Sequence, residues 1–387
     1  MVDKCESLKI LFPSSVAKHM TQLKELVVQD CGVEQIIVEE DGVRMNVGDL
    51  FFPRLTDLRL FELPKLRNFY RNSHTSTWPF LKQLRVRHYS KMRSFSFACE
   101  FHSSHGTTIE ENQPILFSIE KVIPQLETLR LAREDVVMLQ HYIFANLQGL
   151  GLQCYHDEDV AFPSNFLLQR FPNLELLTLS CSSFKEIFPE DASGYGRALG
   201  NLKRLWLEKL CNLRRVWKDG SLMVEILKQI EAMWVEECPS LSIVLPSPTS
   251  FQRLMDLGVK DCAGLVHMGT CSAVTSLVHL HWLSLRNCGA MEDVVTDDGN
   301  GVEDISFPEL EELILDGLPR LESFSPMNRA FRFPSLVRIV ITKCPKMNIF
   351  CKGALRTPNL NKVLLFEEDD EGRWEGDLNT TIQTLST

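Results

Sequence analysis

The chain has 387 residues, 44% of them apolar and 24% charged, with a formal net charge of -10 at pH 7. That is enough apolar material for a large core, while the acidic balance argues against a nonspecific nucleic-acid binder, which needs a basic face for phosphates. No stretch approaches the roughly 18 consecutive apolar residues of a membrane span, and MVDKCESLKILFPSSVAKHM lacks the apolar centre of a signal peptide.

In chain order, the first signal is a fragment of a repeat. Val2, Cys5, Leu8 and Leu11 fit the later places of a template that recurs in full further on, so the sequence opens inside a repeat (1–22) and reads as a segment of a longer protein or a truncated gene product. The full template is LxxLxLxx(C/L)xxLxx(F/V). It is clearest in FPELEELILDGLPRLESF, where Leu310, Leu313, Leu315, Leu318, Leu321 and Phe324 fit neither a helical nor a strand period alone. FPSLVRIVITKCPKMNIF, FPRLTDLRLFELPKLRNFY and LVHLHWLSLRNCGAMEDVV repeat it position for position. Anchors fall at Leu23, Leu55, Leu81, Leu126, Leu147, Leu174, Leu202, Ile230, Leu254, Leu280, Leu310, Leu336 and Leu360, giving about thirteen repeats over 23–366 with a mean period of about 28 residues.

Alternation at the fourth and sixth places predicts a short strand with one face inward, paired in parallel with the same places of adjacent repeats. The fold class expected is therefore an α/β repeat solenoid, a leucine-rich-repeat horseshoe with a parallel concave sheet and irregular loops, turns and short helices on the convex side. It forms a single domain over 1–387, because no repeat can enclose its own leucines and stacking closes the core.

Three stretches break the rhythm. CEFHSSHGTTIEENQP, between Leu81 and Leu126, is poor in apolar residues and reads as an exposed loop, and DASGYGR (Asp191 to Arg197) and TDDGNGVED (Thr296 to Asp304) read as smaller ones. Cys99, His102 and His105 have spacings a metal could use but show no fourth ligand, so no metal and no cofactor is assigned. After a last strand at Leu360, Val363 and Leu365 comes an acidic cap or tail, 367–387, holding the sequon Asn379-Thr380-Thr381.

Six of the twelve cysteines, Cys5, Cys31, Cys238, Cys262, Cys288 and Cys344, occupy the same place in their repeats. They are read as buried thiols acting as small apolar groups and weak donors to a turn backbone, in a reducing compartment.

Residues between the two inward strand positions form the outward column Val27, Arg59, Arg85, Arg130, Gly151, Thr178, Trp206, Trp234, Gly258, Ser284, Ile314, Val340 and Leu364. Three candidate protein-binding zones follow. Arg59, Arg85 and Arg130, joined by Arg87, His88 and Arg133, would suit an acidic surface. Trp206 and Trp234 with Glu208, Glu236 and Glu237 have hot-spot composition. Ile314, Val340 and Leu364 are expected to be exposed and covered by another domain or partner. The bland alternatives are arginines that only balance nearby carboxylates and tryptophans that only stack on each other. Neither a nucleophile elbow nor an HExxH motif is present, and the chain is read as a non-enzyme.

The irregular period, the FPxL openings (Phe52-Pro53, Phe171-Pro172, Phe307-Pro308, Phe333-Pro334), the LPxLxxF and CPxMxxF endings and the terminal WEGDLNTTIQ together resemble the C-terminal leucine-rich-repeat region of plant intracellular NLR immune receptors of the coiled-coil, NB-ARC type. The resemblance implies a cytoplasmic module that senses a pathogen effector or a guarded, modified host protein and restrains the receptor's NB-ARC domain, in cis or trans. No GxxxxGK[ST] loop occurs here, so nucleotide binding is carried over to no residue. The competing class is the substrate-recognition repeat domain of a ubiquitin-ligase adaptor, which predicts an F-box before the repeats. A receptor-kinase ectodomain or extracellular inhibitor would show a signal peptide, near-constant repeats with LxGxIP and several sequons.

Overall fold

The computed structural model describes residues 1–40, 51–70, 78–87, 126–132, 144–153, 170–185, 187, 200–216, 227–247, 250–299, 304–368 and 371–385. They fall into two compact units, Met1–Cys154 with Gln169–Leu174, and Tyr155–Leu168 with Glu175–Thr387. Each is a leucine-rich-repeat stack.

In the first unit β1 (Val2–Asp3), β3 (Glu25–Gln29), β5 (Asp57–Phe61), β7 (Gln83–Arg87), β8 (Thr128–Ala132) and β9 (Gly149–Gln153) form one parallel sheet in that order. Behind it β2 (Ile10–Pro13), β4 (Gln35–Val38) and β6 (Asn68–Tyr70) make a second, short parallel sheet, and the helix α1 (Ser14–His19) follows β2.

In the second unit β10 (Leu176–Ser180), β11 (Arg204–Glu208), β12 (Ala232–Glu236), β14 (Asp256–Lys260), β16 (Trp282–Arg286), β19 (Glu312–Asp316) and β21 (Arg338–Thr342) continue the same pattern. Two further short sheets are built from β13 (Ile243–Leu245), β15 (His267–Thr270) and β17 (Val295–Thr296), and from β18 (Asp304–Ser306), β20 (Ala330–Arg332) and β22 (Leu355–Arg356). Among the described residues helices are few and short, with α2 (Cys271–Val274), capped by the Thr270 hydroxyl, and α3 (Leu378–Leu385) in this unit. The back of the repeats was expected to hold loops, turns and short helices; it also holds these three parallel sheets.

The template explains the geometry place by place. The second and fourth strand residues are inward, with Leu58, Leu60, Leu313 and Leu315 at most 1% exposed, each contributing roughly 1.5–3 kcal/mol of burial. The Cys/Leu place opens a turn closed by the leucine or methionine three residues on, as in Leu241 N–H to Cys238 O (3.3 Å), Met291 to Cys288 (3.1 Å) and Leu321 to Leu318 (3.2 Å). The FPxL opening closes another, Leu55 N–H to Phe52 O (3.0 Å). Its phenylalanines fill the space between the front and back sheets. Phe324 stacks on Phe350 (4.7 Å) and meets Phe331 and Phe333 edge-on, and Phe12, Phe52, Phe69 and Trp78 run edge-to-face in the first unit.

One device at the end of ten described strands of the front sheets was not anticipated. Lys4, Asp30, Glu62, Cys181, Lys209, Glu237, Asp261, Asn287, Gly317 and Lys343 follow their strands with φ between 48° and 66°. Left-handed backbone costs a non-glycine residue energy, and the offset is visible. Each such N–H that reaches the next repeat donates to the carbonyl ending the next strand, as in Asp261 to Arg286 O (3.0 Å) and Asn287 to Asp316 O (2.8 Å). In the cysteine-bearing repeats the thiol donates to the carbonyl ending its own strand: Cys262 to Lys260 O and Cys288 to Arg286 O, both 3.4 Å, and Cys344 to Thr342 O, 3.3 Å. Each rung cysteine is a free thiol, as expected for a weak turn donor.

Candidate functional site

The outward column forms in register. Val27, Arg59, Arg85, Arg130 and Gly151 face one another strand by strand in the first unit. Thr178, Trp206, Trp234, Gly258, Ser284, Ile314, Val340 and Leu364 do so in the second. Parallel strands lie about 4.8 Å apart, so neighbouring side chains of the column touch.

In the arginine zone the three guanidiniums have different surroundings. Arg59 is pinned by Asp57 through two hydrogen bonds, 3.0 and 2.8 Å, with Glu25 at 3.4 Å, so for this residue the carboxylate-balancing reading holds. Asp57 also pushes the Arg59 pKa up, keeping it charged. Arg85 instead meets the neutral amide oxygen of Gln83 (3.3 Å), and its Nε is buried without a hydrogen-bond partner. The stem of Arg130 lies on Gly151, where a Cβ would come within 2.5 Å of Arg130 Cγ. Arg87 ends β7 opposite Phe61. His88 and Arg133 lie outside the described residues, as do Cys99, His102 and His105 and the loop Asp191 to Arg197.

In the tryptophan zone Trp206 and Trp234 pack at 5.7 Å with 35° between their planes. Their mutual stacking is real, yet Trp206 remains 39% exposed. The row continues across Gly258, whose position lies between Trp234 and Trp282. Trp282 was not among the expected site residues, although an aromatic at the first, outward place of a strand was the available signal. Beside the row runs an ionic edge. Lys209 sits 3.6 Å from both Glu208 and Glu237, and Lys260 lies 2.6 Å from Glu236 and 3.4 Å from Asp261.

The third zone corrects an expectation. Ile314, Val340 and Leu364 were expected to be exposed, but they are 2%, 0% and 3% accessible and form a cluster with Trp282 against it. The physical reason is that the three are register neighbours packed on one another and on Trp282, and the chain after Leu364 is tied to the same face. Glu367 accepts a hydrogen bond from Arg286 through its carboxylate and another from Arg338 through its carbonyl, while Arg338 also pairs with Glu312. Arg286 and Arg338 stand on opposite edges of the outward face, on β16 and β21. Their convergence on Glu367 anchors the chain after Leu364 on the face that carries the apolar trio.

The sequon also has a structural assignment. Asn379 Oδ1 accepts from the N–H groups of Phe350 (2.8 Å) and Cys351 (3.2 Å), and Nδ2 donates to Cys351 O (3.0 Å). The side chain acts as a strand surrogate on the repeat anchored at Leu336.

Among the described residues no group of three His, Cys, Asp or Glu could hold a metal ion, and no helix is long and apolar enough to cross a membrane.

The family model for RPS2-like leucine-rich repeats of plant disease resistance proteins matches residues 1–102, 118–249 and 246–356. The probable disease resistance protein At1g61300 of Arabidopsis thaliana is 28% identical over 156 residues, which are 40% of this chain and 19% of that protein. The chain thus spans about a fifth of the length of this curated relative. Among solved structures, the plant peptide hormone receptor RGFR1 in complex with RGF2 aligns with a TM-score of 0.30 and 12% identity, over 92% of this chain and 76% of that one. At that level the likeness supports no conclusion about this chain. With the family model matching most of its length, the chain belongs to the RPS2-like leucine-rich-repeat family of plant disease resistance proteins.

Proposed function

We propose that this chain is the protein-recognition and autoinhibitory repeat module of a plant immune receptor. It senses a pathogen effector or a modified host protein in the cytoplasm and restrains an NB-ARC domain until that contact is made. The supporting observation is the outward column itself: arginines and tryptophans on adjacent strands, in places that core packing does not require, with Trp206 39% exposed. A ligand that touches these residues in only one receptor state shifts the off/on equilibrium by its differential affinity for the two states. The chain acts by binding rather than by catalysis.

The test is co-precipitation from plant cells of this chain with a matched NB-ARC domain and with candidate effectors. Wild type is compared with Arg59/Arg85/Arg130→Glu and Trp206/Trp234→Ala. Loss of effector capture by about tenfold or more, with NB-ARC binding kept, is expected for hot-spot residues. Unchanged binding of everything by both variants would remove the outward column from the mechanism.

A further inference from the structure

We propose that the exposed face of Trp206, with the ionic edge beside it, docks a basic segment of a protein partner, an extended loop or strand bearing arginine or lysine. This deepens the recognition reading above and rests on it.

The first observation is a step in the column. Trp206 is covered on one side by Trp234. On its other side the register neighbour is Thr178, a short residue only 5% exposed, so among the described residues the column places no side chain of comparable height there. The other tryptophans of the row are more enclosed: Trp234 is held between Trp206 and Gly258, and Trp282 packs against the Ile314, Val340 and Leu364 cluster. Trp206 is therefore the open end of an aromatic ledge within the second unit.

The second observation is the charge beside it. Four carboxylates, Glu208, Glu237, Glu236 and Asp261, share two ammonium groups, Lys209 and Lys260. Each lysine is divided between two acids, and the edge keeps an excess of negative charge. On the opposite side of Trp206 stands one exposed cation, Arg204, at the first place of β11. An incoming cation is thus attracted to one flank and repelled from the other. A guanidinium laid on the indole face gains the cation–π attraction while its N–H groups reach the Glu208 and Glu237 side. An acidic or purely apolar segment would meet the same indole without the second contact.

The experiment is fluorescence anisotropy of a short dye-labelled peptide alternating arginine and glycine, with its glutamate counterpart as control, titrated with the full chain. The arginine peptide should bind saturably and more weakly as salt rises, and the glutamate peptide should not bind. Trp206→Ala, which changes no charge, should weaken binding at least about tenfold, Trp206→Phe should restore most of it, and Glu208→Gln with Glu237→Gln should weaken it about three- to tenfold. Arg59→Glu, in the other unit, should leave it unchanged. Equal binding by Trp206→Ala with an unaltered circular dichroism spectrum, or by the glutamate peptide, overturns the proposal. Its failure is separable from failure of the recognition reading. Effector capture that needs the outward column while the arginine peptide ignores Trp206 sinks only the basic-segment site; peptide binding that needs Trp206 while effector capture ignores the column sinks only the sensing role.

Discussion

Trp234 lies so close over Gly258 that a Cβ at that glycine would come within 2.8 Å of the indole Cδ1 and 3.2 Å of Trp282 Cζ3. The glycine is thus the floor on which two tryptophans meet, and its lack of a side chain is what lets the row cross β14.

Gly258→Ala should therefore displace both indoles. Overpacking of this kind costs about 1–3 kcal/mol. The expected result is a lower urea midpoint together with a shifted tryptophan emission, while Ser284→Ala, one strand on, leaves the emission near its wild-type position. Unchanged emission in Gly258→Ala would mean that the two rings do not share this floor.

The chain segment at Glu367 should behave as a cover for the apolar trio. Exposed ion pairs contribute roughly 0–1 kcal/mol, so Glu367→Ala should destabilise only slightly yet raise amide hydrogen exchange in β19 and β21 and increase binding of a hydrophobic dye. Ile314→Ala, by contrast, removes buried methylenes and should cost about 2–4 kcal/mol. Exchange rates in Glu367→Ala identical to wild type would show that the trio is sealed without the returning segment.

The rung thiols carry a pH signature. Burial pushes Cys288 from the ordinary 9.0 up to about 12 and Cys344 to about 11. In the unfolded chain these thiols ionise above about pH 9, whereas in the folded chain they stay protonated, so the folded state holds more protons in the window between. Stability is then complete below pH 9 and falls as pH rises towards the folded values, by at most about 1.4 kcal/mol per pH unit for each thiol. Urea midpoints measured at pH 8 and pH 10 should fall, and fall less steeply in Cys288→Ala. Among the described cysteines, alkylation at pH 8 should reach the exposed Cys211 first and the buried Cys31, Cys238, Cys262 and Cys288 only on unfolding.

Asn379→Ala should leave the N–H groups of Phe350 and Cys351 without their acceptor, at a cost of about 1–3 kcal/mol for each buried group left unpaired. Asn379→Asp keeps the acceptor but loses the donation to Cys351 O, so it should fall between alanine and wild type in thermal stability. If both variants melt with wild type, the asparagine is not a structural part of the repeat anchored at Leu336.

The repeat ladder was legible because its signal is periodic. Leu313 and Leu315 recur as Ile339 and Ile341, and aligning the copies also aligned Arg59, Arg85 and Arg130 on neighbouring strands, as their register shows. The thiol rung was legible for the same reason. What escaped was non-periodic or very short. A back strand such as Ala330–Arg332 spans three residues, too few to display alternation, and it runs straight into the next FPxL opening. The left-handed residue after these strands varies among Lys, Asp, Glu, Cys, Asn and Gly, so only the shared position, not the residue type, marks it. The burial of Ile314 and Val340 involves Leu364 and Trp282 from other repeats, and no local pattern carries contacts of that range. Trp282 was passed over because its partner at the glycine lies on another strand.

The column of left-handed residues makes the junctions between repeats interchangeable. Where the device operates, a strand-end carbonyl receives the N–H of the repeat before it, and in the cysteine-bearing repeats its own thiol as well. Cutting the chain after one such residue and rejoining it after another restores the same set of bonds. Whole turns can then be gained or lost in single steps while the core still closes, and the outward residues carried by each turn travel with it as a cassette. Such a stack can revise what it touches without renegotiating how it folds.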